Sequence, residues 1–148
     1  MIISKDNVSY NEIKLFLEKV DKTFPVPLSE KQNIETYASK LHDKSTICAV
    51  FENHEIVSMI AGYIENVIDD MAYISIVATL PEYYGMGYAH KLVEEFIDSC
   101  KKRKLRAVHL YAVASNIAAM KLYKKIGFVE YMIQNEVRPN DVHLIFYL

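Results

Sequence analysis

The chain has no tryptophan, two cysteines, four glycines and four prolines among its 148 residues. Two cysteines are too few for a disulfide scaffold. Cys48 and Cys100 each fall in an apolar-patterned segment, which reads as core packing in a reduced compartment. No apolar run approaches the roughly 20 residues needed to cross a bilayer. The N-terminus meets a lysine at position 5 and polar residues soon after, so no signal peptide is visible and a soluble cytoplasmic protein is expected. Charge of one sign is missing too: the formal net charge is −2, so neither nucleic acid nor an anionic membrane is an expected partner. The densest basic run, Lys101-Lys102-Arg103-Lys104 with Arg106, reads as a helix C-terminus carrying cations where the helix dipole favours them. The five histidines show no metal-binding spacing, and no metal is expected.

What is present is a chain that is 51% apolar, long enough for one well-filled core and short for two. A single domain over residues 1–148 is expected. Met1 to Ser4 is a strand candidate, and Asn7 or Ser9 could cap a helix with Ile13, Leu15, Phe16, Leu17 and Val20 at helical spacing. Phe24-Pro25-Val26-Pro27-Leu28 breaks regularity, because each proline fixes its own φ and extends the residue before it. Ser29 with Gln32 resembles a capping box that opens a second helix through Tyr37 and Leu41.

From Thr46 the pattern turns to strands. Thr46 to Phe51 and Ile56 to Ile68 are β-rich, joined by a turn at Glu52-Asn53-His54-Glu55. Asp69-Asp70 turns again before Met71 to Thr79, a nearly all-apolar or β-branched run that reads as a strand covered on both faces. Pro81 ends it. Ala89 to Lys101 is helical, Ala107 to Val113 a strand, and Asn116 to Ile126 a short helix capped by Ser115 or Asn116 and stopped by Gly127. Phe128 to Val137 and Val142 to Leu148 would pair across Arg138-Pro139-Asn140-Asp141. The expected order, β-α-α-β-β-β-α-β-α-β-β, describes a mixed sheet flanked by helices.

Two of the scarce glycines stand two residues apart, in Tyr84-Gly85-Met86-Gly87-Tyr88-Ala89, between a strand and a helix start. Such a turn leaves backbone N–H groups pointing outward with the helix dipole behind them, a site for a phosphate-bearing ligand. A P-loop would need Lys and then Ser or Thr after the second glycine, where Tyr88-Ala89 stands. A dinucleotide fingerprint would need a small residue at His90 and an acid about 20 positions on, where Lys104 to Ala107 lies. Downstream, Asn116 and Tyr123 are seven apart on one predicted helix, nearly on one face and about 10.5 Å apart along the axis, with the small Ala119 between them. Read singly they are a cap and an interfacial tyrosine. Read with the glycines they suggest an enzyme of acyl-coenzyme A.

Leu80-Pro81-Glu82-Tyr83-Tyr84-Gly85-Met86-Gly87-Tyr88-Ala89 resembles the acyl-CoA loop of the GNAT superfamily of N-acyltransferases. Ser115-Asn116-Ile117-Ala118-Ala119-Met120-Lys121-Leu122-Tyr123 with Gly127-Phe128 resembles that family's second signature. The likeness is close over residues 47 to 131. It implies an α/β (α+β) fold with a mixed, mostly antiparallel sheet of about seven strands and four helices, splayed between strands 4 and 5. It also implies that backbone groups of Val77, Ala78 and Thr79 pair with the pantetheine arm as an added strand would. The amides of Gly85, Met86, Gly87, Tyr88, Ala89 and His90 would hold the pyrophosphate, and Asn116 the cofactor arm. Tyr123 would be the general acid for the departing thiolate.

The expected reaction is therefore transfer of the acetyl group of acetyl-CoA to a primary amine by direct attack. The acceptor would be a small molecule, an amino sugar or a peptide or protein amine. A lysine-like amine has a pKa of about 10.4, so a base or a water chain must take a proton. A backbone N–H of the Val77 to Thr79 strand would meet the carbonyl charge. The chain departs from the family twice. Tyr84 stands where Arg or Gln is usual, which leaves phosphate contact there to the backbone. Tyr111 stands where some relatives carry a carboxylate base. The base is then a water held by Ser75, or Glu65 if its strand delivers it to the cleft. His109 shares a strand face with Tyr111 and Val113 and reads as a satisfied core or cleft histidine, as does His143. The Phe24 to Leu28 loop and Tyr37 would flank the acceptor entrance. A non-catalytic acyl-CoA sensor on the same fold is the alternative, and pairing of the last strands between subunits would make a homodimer.

Overall fold

A computed structural model describes residues 2–4, 7–131 and 141–148. Strands β1 (Ile2–Ser4), β2 (Thr46–Glu52), β3 (Glu55–Tyr63), β4 (Met71–Thr79), β5 (Ala107–Val113), β6 (Val129–Glu130) and β7 (Asp141–Tyr147) form one seven-stranded sheet in the order β1-β2-β3-β4-β5-β7-β6. Every neighbouring pair is antiparallel except β4–β5. Five helices accompany it: α1 (Tyr10–Val20), α2 (Leu28–Lys31), α3 (Ile34–Lys44), α4 (Tyr88–Lys102) and α5 (Ile117–Ile126). None of the described helices is long and apolar enough to cross a membrane.

Local chemistry sets most of these limits. Ser9 caps α1 reciprocally, its Oγ accepting from the Glu12 N–H at 3.1 Å while Glu12 Oε1 accepts from the Ser9 N–H at 2.9 Å. The helix then buries Ile13, Phe16, Leu17 and Val20. The capping box expected at Ser29 and Gln32 does not form. The Ser29 N–H donates to Asp21 Oδ1 at 2.7 Å, and Gln32 is extended at φ −164° and ψ 163°. A one-turn helix ends there, and α3 begins on Asn33, whose Oδ1 accepts from the Thr36 N–H at 2.9 Å. This added turn makes five helices where four were expected.

The β2–β3 turn places Asn53 and His54 at φ 51° and 66°, the left-handed conformation of a tight hairpin. β3 stops at Tyr63 rather than reaching Ile68, because Asn66, Asp69 and Asp70 take φ values of 52°, 56° and 55° and leave Ile68 83% exposed. β4 is not covered on both faces as expected. Ala72, Ile74, Ile76 and Ala78 are buried, whereas Tyr73, Ser75, Val77 and Thr79 are half-buried. The buried set faces α4: Ile74 pairs with Gly62, and Phe96 of α4 packs directly on Gly62. The other set faces α3, where Tyr37 Oη lies 2.6 Å from Ser75 Oγ, and then opens into cavities. Cys48 and Cys100 are buried in the core without a disulfide, as their segments imply. Of the last expected hairpin, 132–137 of the first strand and 138–140 of its turn lie outside the described residues.

The feature that positions the site is the short pairing of β4 with β5. Only Met71, Ala72 and Tyr73 pair with Ala107, Val108 and His109. Beyond them the strands part, and β4 runs on to Thr79 with β3 on one side.

Packing at Gly62 makes a direct stability test. A Cβ there would stand 2.5 Å from Phe96 Cζ and 2.6 Å from the Tyr73 carbonyl oxygen, and a backbone atom cannot yield cheaply. Gly62→Ala should therefore lower stability by about 1–3 kcal/mol in urea unfolding, the cost of overpacking a core. An unchanged midpoint would show that α4 can move off the sheet there.

Candidate active site

The loop after β4 is shaped by its own backbone. The Leu80 N–H donates to the Val57 carbonyl at 2.8 Å, holding the end of β4 to β3. A 3₁₀ turn over Pro81–Tyr83 follows, then Gly85 and Gly87 at φ 79° and 77°. Glycine reaches that left-handed region without steric cost. Gly87 is the N-cap of α4 and has no side chain with which to cap it. The first amides of a 15-residue helix therefore point outward with the dipole behind them. Tyr88 ties the turn down, its Oη donating to Glu52 Oε1 at 3.2 Å and its ring lying 6.4 Å from that of Tyr83.

Between this turn and α5 lies a cleft of about 550 Å³. Val77, Ala78, Thr79, Gly85, Gly87, Tyr88, Ala89, His90 and Asn116 all line it. Met86, grouped with them on sequence, does not, and its side chain is 59% exposed. Thr23, Tyr83, Ala118 and Leu122 line the cleft without having been singled out. Ala118 and Leu122 stand within the α5 motif that carries Ala119, whereas Thr23 arrives from a different part of the chain and gave no local signal. Tyr84 lines the cleft with its side chain 59% exposed.

The fit to an acyl-CoA rests on three observations. The cleft is walled by the unpaired length of β4, ends on the uncapped start of α4, and carries Asn116 opposite. Asn116 caps α5 with its side-chain oxygen, which accepts from the Ala119 N–H at 3.3 Å. That cap uses the acceptor end of the amide and not its N–H₂ end. Ala119 adds no bulk on the same face. The described residues include no group of three or more His, Cys, Asp or Glu arranged to hold a metal.

A second cavity of about 140 Å³ lies where β4 and β5 part. It shares Phe24, Val77, Asn116, Ala119 and Tyr123 with the cleft, so the two spaces meet at those residues. Tyr123 is 7% exposed, with its ring 5.6 Å from Phe128. Burial pushes its phenol well above the ordinary value of 10.0, so it stays protonated and can donate. Ser75 and Tyr111 also line this small cavity, as do Phe24, Pro25, Val26 and Leu28 of the proline loop. Tyr37 stands behind Ser75 and lines neither space. Glu65 is not delivered here, because β3 ends before it and its carboxylate pairs with Arg103. Asp141, read on sequence only as a turn residue, is the carboxylate among the cavity's described lining residues.

His109 and His143 come together on the same sheet face, with Nδ1 of the first 2.8 Å from Nε2 of the second. Burial first, and then the neighbouring His143, hold His109 down at about 4, and burial lowers His143 as well. Both rings are neutral at neutral pH.

A model of the acetyltransferase (GNAT) family matches residues 13–128. The [Ribosomal protein bS18]-alanine N-acetyltransferase of Escherichia coli K12 is 33% identical over 113 residues, 76% of this chain and 72% of that protein. N-alpha-acetyltransferase 30 of Schizosaccharomyces pombe is 37% identical over 59 residues, 40% of this chain and 39% of that protein. Among solved structures, the PaiA N-acetyltransferase of Thermoplasma acidophilum, in complex with coenzyme A, superposes with a TM-score of 0.74 at 15% identity over the whole of both chains. The Escherichia coli ribosomal-protein-S18-alanine N-acetyltransferase gives 0.72 at 23% identity, covering 99% of this chain and 92% of that one.

Two outcomes follow from this geometry. A Cβ on Gly87 would meet nothing within 4 Å, so Gly87→Ala acts through backbone strain alone. It should weaken coenzyme A binding about 5- to 30-fold in calorimetry, as roughly 1–2 kcal/mol of strain turns the amides away. An unchanged affinity would remove this turn from the binding site. The second outcome concerns pH. With His109 depressed to about 4 from 6.5, the unfolded chain binds the proton and the folded chain does not across that window. Stability should therefore fall as pH drops from 6.5 toward 4, and His109→Gln should flatten that part of the melting-temperature profile. A wild-type profile already flat there would contradict the buried neutral pair.

Proposed function

The chain belongs to the acetyltransferase (GNAT) family, and we propose that its acceptor is the α-amine at the start of a peptide or protein. It is an N-acetyltransferase that uses acetyl-CoA. The observation that carries the site assignment is the junction at which cleft and small cavity share Asn116, Ala119 and Tyr123. The assignment of the acceptor draws support from the relatives matched over most of the chain, whose name specifies an alanine of a ribosomal protein. It also has a chemical argument. An α-amine has an ordinary pKa of about 8 and a lysine amine about 10.4, so far less help is needed to neutralise the first. A cavity with Tyr111 in place of a carboxylate base suits the easier amine.

The residues divide the work as follows. The free length of β4 at Val77, Ala78 and Thr79 aligns the cofactor arm, the amides from Gly85 to His90 hold the pyrophosphate, and the Asn116 amide fixes the arm from the other side. Bound acetyl-CoA supplies the activated thioester carbonyl. The acceptor amine sits in the small cavity beside the Phe24 to Leu28 loop, and Ser75 and Asp141 offer oxygen acceptors for its proton, directly or through water. A backbone N–H of the β4 edge meets the charge that develops on the carbonyl oxygen. Tyr123 then donates its proton to the leaving thiolate, a role its raised pKa keeps it ready to fill. The two buried thiols suit a reducing cytoplasm, and the chain works as a single domain.

Thiol release from acetyl-CoA should be seen with short peptides carrying a free N-terminus and be far weaker with a polyamine or an amino sugar. The reverse order would replace the peptide reading, and no release with any amine would remove the activity. Tyr123→Phe should lower kcat about 10²-fold or more while coenzyme A affinity stays within about twofold. Unchanged turnover would take Tyr123 out of the chemistry.

A further inference from the structure

We infer that the acceptor, beyond its reacting amine, lies as an extended peptide in a groove over β3, β4, β5 and β7 that is lined by Tyr63, Tyr73, His109, Tyr111 and His143. The inference rests on the reading of the acceptor as a peptide and says where its following residues bind. Three independent features lead to it.

The first is continuity. The groove encloses about 990 Å³, the upper end of ligand-sized sites, whereas the reaction cavity holds about 140 Å³. Tyr73 and Tyr111 line both. Register puts the five residues on one sheet face, since Tyr63 pairs with Tyr73, Tyr73 with His109 and Tyr111 with His143. The two rings pack 6.1 Å apart, centroid to centroid, and form the border shared by the two spaces, so an acceptor whose end fills the small cavity crosses over them and meets the groove next.

The second is unmet hydrogen bonding. Tyr63 Oη and His143 Nδ1 are both buried away from solvent and have no hydrogen-bond partner among the described residues. Such atoms are costly to leave alone, and a ligand that supplies partners recovers that cost.

The third is neutrality. The His109–His143 contact at 2.8 Å needs one N–H between the rings, and both rings are held neutral. If His109 donates, His143 Nδ1 carries the remaining N–H; if His143 donates, its Nδ1 becomes an acceptor. The pair therefore meets either half of an amide. Tyr63 Oη has the same versatility. Charge stays on exposed side chains at the rim, where Glu65 is held by Arg103, Asp43 by His42, Lys40 sits 5.3 Å over the Tyr63 ring, and Lys44 is exposed. Uncharged groups that both donate and accept, walled by aromatic rings, fit a peptide backbone better than a carboxylate or an ammonium.

The test compares an amino-acid amide with a tetrapeptide amide sharing its first residue, by thiol release from acetyl-CoA. In the wild-type enzyme kcat/KM should rise about tenfold or more with length, chiefly through KM. In Tyr63→Phe and in His143→Phe the tetrapeptide-to-amide ratio should fall toward one. Both substrates are read on the same preparation, so a poorly folded fraction cancels from the ratio. A wild-type ratio near one, or a ratio unmoved by both variants, overturns the groove while leaving peptide acetylation intact. Release with polyamines or amino sugars but with neither amide overturns the peptide reading and the groove together.

Discussion

The parting of β4 and β5 after three residue pairs is the constraint on which the rest of the molecule depends. A parallel pair that stopped at its natural length would bury the backbone of Ile74 to Thr79 in ladder bonds. Here that edge is released, and the protein must keep two apolar strands apart without collapse. It does so by covering each separately. β4 keeps β3 as its partner to Thr79, and Ile74, Ile76 and Ala78 stay buried on the α4 side. β5 keeps β7 as its partner along its whole length, from Ala107–Tyr147 to Val113–Asp141. Each half is thus complete on its outer side, and the gap between them is a product of two stable half-sheets, not of a missing interaction.

That gap also explains why the loop and helix motifs stand where they do. The uncapped start of α4 follows the loop at the free end of β4, so its outward-pointing amides lie at one mouth of the opening. Asn116 and Tyr123 of α5 come from the end of β5, and hence from the opposite lip. Neither helix alone makes a site. Their distance across the gap is set by where Tyr73 and His109 stop pairing, which ties the cleft to the aromatic face at the closed end.

What could be read before folding was what local chemistry decides. Ser9, Gly87, Asn116 and Gly127 each act within a few residues of themselves, through a cap or a positive φ, and their helices were legible to within a residue or two. The start of α3 was not: Ser29 was read as opening it, and Asn33 caps it instead. The choice fell to Asp21, eight residues away, which takes the Ser29 N–H. The strand over Met71–Thr79 was legible but its exposure was not, since Tyr, Ser, Val and Thr facing a cavity look much like strand residues facing a helix. His109 and His143 are 34 apart in sequence, and only the β5–β7 register brings them into contact. Glu65 failed as a base for a related reason: β-branched residues after Tyr63 suggested a strand, while left-handed Asn66, Asp69 and Asp70 turned the chain away.

The absence of a carboxylate at Tyr111 bears on more than the choice of base. Proton movement in acyl transfer has two ends, an amine that must lose a proton and a thiolate that must gain one. The buried Tyr123 phenol, held above its ordinary pKa, stays protonated and is the proposed donor at the second end. At the first end a carboxylate at position 111, beside an aromatic wall, would be desolvated and would hold its proton more tightly, and the carboxylate present in the cavity is instead that of Asp141 at the start of β7. An oxygen such as that of Ser75, backed by Tyr37, avoids that cost but is a weaker acceptor. The arrangement works best when the amine is already close to neutral at the working pH. On the proposed reading, a site with a protonated phenol and weakly basic proton acceptors would select its substrate partly by pKa, before shape is considered, and an α-amine would meet that selection more readily than a lysine side chain.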